Sequence, residues 1–244
     1  MSSEIVSLSP LDTTRFGIVS ARASQISPEN LHFILEFCSK NRVKFLIGRC
    51  SSSDIKTVHA MEDNGFRLMD TLVYLRKDLH GFSYLGVPEE LVIRSLEPGD
   101  VPQVVNVAKA SFTGYKGHYN VDRRLDPEAA IEVYASWAER CCLNRSVADH
   151  VLVAEMNNEI VGFKAIRINS PQQTEVILVG VAPQARKKGI FRELMSQCLR
   201  WSREIDAKET IISTLLTNIP VQKACSQLNF TLYSSYHTFH KWFD

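Results

Sequence analysis

Four consecutive residues in the last third of this 244-residue chain have the types needed to hold an anion: Arg186, Lys187, Lys188 and Gly189. Before them runs an apolar stretch, Glu175-Val-Ile-Leu-Val-Gly-Val-Ala182, and behind them Ile190, Phe191, Leu194, Met195, Cys198 and Leu199 recur at the helical period, so a helix begins at about Gly189. A helix start leaves backbone N–H groups unpaired at the positive end of its dipole, and here three cations flank it beside a glycine that lets an anion approach the backbone. The chemistry is that of a diphosphate site. The two commoner phosphate loops are absent from the sequence: it has no G-x-x-x-x-G-K-[ST] and no G-x-G-x-x-G. An ordinary strand, turn and helix with solvated lysines has the same composition, so the surroundings must decide.

The elements that would position this turn can be read along the chain. Val176 to Val181 is a strand of β-branched and Leu residues, and Gly180 within it predicts a bulge or a close backbone approach. Residues 5 to 50 hold a short strand, a turn around Asp12-Thr13-Thr14, and a helix capped by Ser27-Pro28-Glu29-Asn30 that runs through Leu31, Ile34, Leu35 and Cys38. A strand at 44–49, a helix at 54–64 and a strand at 67–76 follow. Residues 46–77 slide without a gap onto 210–241, so that Asp54 meets Asn218 as a helix cap and Asn64-Gly65-Phe66 meets Leu228-Asn229-Phe230; each copy reads strand, helix, strand. Turn residues between Asp78 and Glu90 place a boundary there, giving an N-terminal domain at 1–85 and a second at 90–244. The second opens with a strand at 91–94, continues with helices to about Ser111 and at 127–142, then a hairpin (151–155 and 160–167), the central strand and helix, a strand at 210–216, a helix from Asn218 and a strand from Phe230 to Trp242.

Composition sets the remaining bounds. Lys and Arg number 28 against 27 Asp and Glu, a net charge of +1, so no whole-chain footprint for nucleic acid or an anionic membrane exists and any phosphate preference is local. The 6 cysteines show neither C-x-x-C nor zinc spacing and read as reduced thiols, which fits a cytoplasmic protein that binds no metal. No apolar run is long enough to span a membrane, and the N-terminus lacks the pattern of a signal peptide.

Arg186-Lys-Lys-Gly189-Ile-Phe191 resembles the R/Q-x-x-G-x-G/A signature of the GNAT acetyltransferase superfamily, with Phe191 where a small residue is usual. The order of elements from 91 to 244 is similar to the GNAT order. Asn218-x-Pro-Val-x-x-x-Cys225-x-x-x-Asn229-Phe230 looks like that superfamily's second signature, with Cys225 at its Tyr position. The resemblance implies an α/β protein with a mixed sheet: a GNAT acyl-CoA N-acyltransferase fold preceded by a smaller half-GNAT-like αβ domain. It further implies acetyl-CoA as cosubstrate, held by Arg186, Lys187, Lys188, Gly189, Ile190 and Phe191, by backbone groups of Val179 and Val181, and by Asn218 as cap of the last helix. Glu175 falls where some members keep a general base, and Cys225 or Tyr236 (or Tyr233) is the candidate proton donor. Cys225 also fits a plain apolar helix stripe.

The N-terminal half, the opening Asp12…Phe16-Gly17 and the aromatic segment Phe112-Thr-Gly-Tyr115-Lys-Gly-His118-Tyr119 together resemble the TDP-fucosamine acetyltransferase group, which acetylates the amino group of a nucleotide-linked 4-amino-4,6-dideoxygalactose. On that resemblance Tyr115, His118, Tyr119, Tyr134 and Trp137 meet a small-molecule acceptor, although Tyr134 and Trp137 equally suit the core side of a helix. The rival readings are an acetyltransferase for an amino acid, peptide N-terminus or antibiotic, a non-catalytic acyl-CoA-binding module, and an interaction protein whose N-terminal half is a homodimer surface.

Overall fold

The computed structural model describes residues 5–81 and 91–243. They form one ten-stranded sheet in the order β1-β2-β3-β10-β4-β9-β8-β7-β6-β5. The N-terminal elements are β1 (Val6–Leu8), α1 (Pro10–Phe16), β2 (Ser20–Ala23), α2 (Pro28–Lys40), β3 (Phe45–Ser51), α3 (Ile55–Asp63) and β4 (Arg67–Asp78). After the undescribed stretch come β5 (Val92–Ser95), α4 (Val101–Phe112), α5 (His118–Val121), α6 (Pro127–Leu143), β6 (His150–Met156), β7 (Glu159–Ser170), β8 (Gln173–Val181), α7 (Ile190–Glu204), β9 (Glu209–Leu215), α8 (Ile219–Gln227) and β10 (Thr231–Trp242).

Local chemistry accounts for the main boundaries. Ser27 and Asn30 close a capping box on α2, Asp54 accepts from the Thr57 N–H at the start of α3, and Asp126 accepts from the Glu128 N–H at the start of α6. The β6–β7 turn puts Asn157 and Asn158 at φ 53° and 62°, the left-handed pair that a two-residue hairpin requires. Every residue from Ile160 to Ile166 on β7 is buried, because α4 covers one face of that strand and α7 the other.

One sequence expectation changes, and two elements are additions to it. Asp12-Thr13-Thr14 lies inside α1, with Asp12 buried, so it forms a helical turn and not a loop. β2 and α5 have no apolar periodicity to announce them; β2 exists because it pairs in parallel with β3, and α5 is held by tertiary hydrogen bonds. The segment read as a domain boundary falls in part on 82–90, outside the described residues.

The internal repeat is visible in the sheet. β3, α3 and β4 superpose in sequence on β9, α8 and β10 without a gap, boundary for boundary. Each copy leaves a space between its two strands, and the last strand of the other copy fills it: β10 lies between β3 and β4, and β4 between β10 and β9. Tyr236 stands opposite Leu72 at the centre, and the flanking pairs are mirror images, Thr231 with Arg76 and His240 with Arg67. Even the two register shifts are mirrored, one skipping Tyr233 on β10 and one skipping Met69 on β4. A local two-fold axis therefore passes between Leu72 and Tyr236. One apolar core packs under α7, α8, α4 and α6, and a second packs α2 and α3 against β3 and Phe239 of β10.

Candidate active site

The central strand supplies an opening in the sheet. β8 pairs in parallel with β9 from Gln173–Glu209 to Val176–Ile212 and then diverges, continuing to Val181 alone on that side. Ile177 is skipped in the pairing with β7, so a bulge marks the start of the divergence. Ala182 N donates to Val161 O, at 2.8 Å, on β7; alternation then turns the N–H and C=O of Val181 and Val179 away from β7 and into the gap. Gly180 is not the bulge. It is a close approach, since a Cβ there would sit 2.6 Å from the Phe163 ring and 3.0 Å from Ser111 Oγ of α4.

At the end of β8 the basic turn forms a concave set of amides. Lys187 and Gly189 both take left-handed φ, 65° and 80°, and Gly189 occupies the N-cap of α7 with no side chain capping it. Among the described residues no backbone carbonyl receives the N–H groups of Lys188, Gly189, Ile190 or Phe191. A Cβ on Gly189 would meet nothing within 4 Å, so the space in front of these amides is open. Helices α2, α3 and α6 differ, for each has a side chain on its first turn. Arg186 folds across the turn, its Nη2 donating to Ser111 O at 3.1 Å, while Lys187 and Lys188 stay exposed. The arrangement suits a diphosphate with an extended arm running along Val181 and Val179.

The candidate acid–base groups divide. Glu175 Oε2 accepts from Arg167 Nη2 at 2.6 Å and Asn169 Nδ2 at 3.1 Å, so its carboxylate is held in place. Cys225 is wholly buried on α8, and burial pushes its thiol up to about 11, with Lys164 opposing. Asn218 stands at the N-cap of α8 but makes no cap bond; its Nδ2 donates to Thr214 Oγ1 at 3.0 Å instead. Phe191 turns its ring inward, 4.6 Å from Lys164 Nζ, which leaves its backbone on the open side.

Tyr236 lies with Tyr74 at the two-fold axis, ring centroids 5.5 Å apart. Together with Ser24, Gln25, Arg49 and Ser51 they line a cleft of about 350 Å³. This cleft is the N-terminal counterpart of the β8–β9 gap: β2 and β3 also pair in parallel and part after Ala23–Gly48, the repeat equivalent of Ile212. The turn after β2, Ser24-Gln25-Ile26, carries no cation, and the capping box occupies the first amides of α2. Tyr74 connects the cleft to the central strand. Burial raises its phenol pKa, the Arg49 guanidinium opposes the rise and the Glu175 carboxylate adds to it.

The aromatic acceptor candidates come together but are packed. Tyr134 stacks on Phe112 at 4.1 Å, and Tyr115 meets both rings edge-on. The Tyr119 hydroxyl donates to Asp12 Oδ1 at 3.0 Å and accepts from Arg22, tying α5 to α1 and β2. Trp137 is half-buried against the same core. His118 Nδ1 lies 2.9 Å from His240 Nε2, and His240 Nδ1 lies 2.7 Å from Asp122 Oδ2. Burial, then the neighbouring His240, lower the His118 pKa well below its ordinary value, so it is a neutral imidazole. With Asp122 only accepting, His240 gives Nδ1–H to the carboxylate, and its Nε2 shares one proton with His118 Nδ1. His118 N also donates to Asp70 Oδ2 at 2.8 Å, and Asp70 Oδ1 is buried without a partner.

Sequence reasoning passed over Lys164, Arg49, Asp70, Tyr74 and the His118–His240–Asp122 chain. Lys164 alone had a signal, a lysine inside the apolar run Ile160 to Ile166. The others depend on pairings between residues far apart in the chain.

Residues 111–230 match the family model described as the acetyltransferase (GNAT) family. A comparison with curated proteins gave no match. Among solved structures, a functionally unknown conserved protein from Staphylococcus epidermidis ATCC 12228 aligns with a TM-score of 0.68 at 12% identity, over 99% of this chain and 92% of that one. A GCN5-related N-acetyltransferase from Sphaerobacter thermophilus gives 0.67 at 14% identity, over 97% and 76%. A tandem GNAT protein from the clavulanic acid biosynthesis pathway gives 0.66 at 13% identity, over 91% and 75%. These likenesses concern architecture, and the fold of this chain is the GNAT fold.

Proposed function

We propose that this chain is an N-acetyltransferase that moves an acetyl group from acetyl-CoA to a primary amine. The observation that carries the reading is the continuity between an open, cation-flanked set of amides at the start of α7 and a gap in the sheet into which the Val179 and Val181 backbone groups point. A diphosphate suits the first and the acyl-bearing arm of the same molecule suits the second. In this reading the Val179 N–H stabilises the carbonyl oxygen as charge develops on it. Glu175 takes the proton of the attacking amine, either directly or through water. Tyr236 and Tyr74 shape the acceptor side.

For the acceptor we favour an amine on a nucleotide-linked amino sugar. Support comes from the cleft at the two-fold axis, where the rings of Tyr74 and Tyr236 offer a face for a sugar and Arg49 offers a planar cation for a phosphate. The aromatic set at 115–137 then serves as the wall behind that cleft, with Asp70 and His118 joining it to the sheet. In the same reading the chain has two parts, an N-terminal half-GNAT-like unit at 1–85 and a GNAT N-acetyltransferase unit at 90–244.

A thiol-release assay with acetyl-CoA and a panel of amines tests both levels. Turnover that is fastest with a TDP- or UDP-linked amino sugar, and lost in Arg49→Ala through a raised acceptor KM, supports the full reading. Preference for an amino acid, a peptide N-terminus or an aminoglycoside overturns the acceptor and keeps the enzyme. Binding of acetyl-CoA with no thiol release across the panel makes the chain a binding module.

A further inference from the structure

Lys164 is the most heavily buried cation described, with no exposed surface on β7. Its Nζ donates to the Met195 thioether at 3.4 Å and lies over the Phe191 ring, both on α7; the titratable groups facing it are the Cys198 thiol of α7 and the Cys225 thiol of α8. No carboxylate among the described residues pairs with it. A thioether and an aromatic face are weak partners for an ammonium withdrawn from water, so the site holds a cation without its anion. Lys164 stands directly opposite Val179, whose N–H points into the gap beside β8.

We propose that the Lys164 ammonium donates the proton to the sulfur that leaves during acyl transfer, an inference that rests on the acetyl-CoA reading above. When the tetrahedral adduct collapses, the C–S bond breaks and its electron pair goes to sulfur. A proton from Lys164 Nζ forms the S–H bond, and the neutral amine regains a proton from solvent before the next cycle. The anion missing from the site is thus the thiolate that appears for a moment beside it. Cys225 stands where the resembled superfamily carries a tyrosine, but a thiol pushed up to about 11 is a weaker acid than the thiolate's own conjugate acid, at about 8.5. Burial lowers Lys164 to about 8, close to that value.

The test compares wild type with Lys164→Met, whose side chain has similar length and no charge. Wild-type kcat should fall as pH rises through about 8, the region in which the ammonium is lost. The variant should lose roughly 100-fold or more in kcat, lack that descending limb, and keep its KM for acetyl-CoA. A second measurement needs no catalysis and no variant: wild type should prefer CoA over desulfo-CoA increasingly as pH rises toward 8, because the ammonium draws the bound thiol to its thiolate. Wild-type turnover with an unchanged kcat and pH profile in Lys164→Met overturns the proposal alone, as does an affinity ratio that does not respond to pH. Absence of turnover by wild type with every amine overturns it together with the acetyltransferase reading.

Discussion

Lys164 sits at about 8 in the folded protein against an ordinary 10.5, so the folded state binds its proton less tightly than the unfolded chain does. The penalty is complete below pH 8 and fades as pH rises toward 10.5; its full size is about 3 kcal/mol. Lys164→Met should therefore raise the thermal midpoint at pH 7 and abolish the gain in stability that wild type shows between pH 8 and 10.5, as read by calorimetry across that range. A variant melting below wild type at pH 7 would show that the ammonium is stabilised in the fold. Glu175 is a carboxylate held in place by Arg167 and Asn169. Glu175→Gln should lower kcat by roughly 100-fold with little change in the acetyl-CoA KM; an unchanged kcat would remove it as the base. At this scale the sequence was partly legible. Gly189 as the start of α7 was readable because helix-start chemistry is a local rule, whereas Val179 and Val181 entered only through the resemblance. Asn218 took the N-cap position without the cap bond; its Nδ2 donates to Thr214 Oγ1, which ties the side chain to the preceding strand.

Helix α7 carries the element-scale argument, for no side chain caps it and, among the described residues, the N–H groups of Lys188, Gly189, Ile190 and Phe191 meet no backbone carbonyl. Gly189→Asp places a carboxylate on that turn and forces an L-residue into φ near 80°. Acetyl-CoA should raise the melting temperature of wild type and leave this variant unmoved; equal shifts in both would detach the turn from the ligand. The clamp of α5 onto the sheet responds to acid. His118 is neutral when folded, so its contribution falls away as pH drops below the unfolded value of about 6.5. Asp122 follows: burial alone would raise it, but hydrogen bonds from His240, the Arg124 N–H and Trp242 hold it at about 2, so its contribution is present above about 4 and lost as pH falls toward 2. His118→Phe should flatten the first of these steps in a pH series of melting temperatures. α5 escaped the sequence reading because four residues have no periodicity to show; their order comes from Asp70, Asp12 and His240, all supplied by other elements.

Over the whole molecule, the repeat of 46–77 in 210–241 was legible, yet a reading copy by copy gives two separate sheets. What pattern cannot reveal is that each copy's gap is filled by the other copy's last strand, because strand order is decided by pairing across the full length of the chain. Residues 90–244 expressed alone would leave β9 and β10 with no strand between them, exposing two unpaired edges. That fragment should aggregate, whereas co-expression with 1–89 should restore a soluble complex with the wild-type melting profile; a monomeric, cooperatively melting 90–244 would show that the two strands can close on each other. The same exchange sets a timetable for synthesis. The slot between β3 and β4 is ready once β4 (Arg67–Asp78) has emerged, but the strand that occupies it, β10 (Thr231–Trp242), is made only after all the elements between them. The nascent chain must therefore carry an unfilled slot while every element from β5 to α8 is made, and the N-terminal core becomes complete only once β10 has emerged.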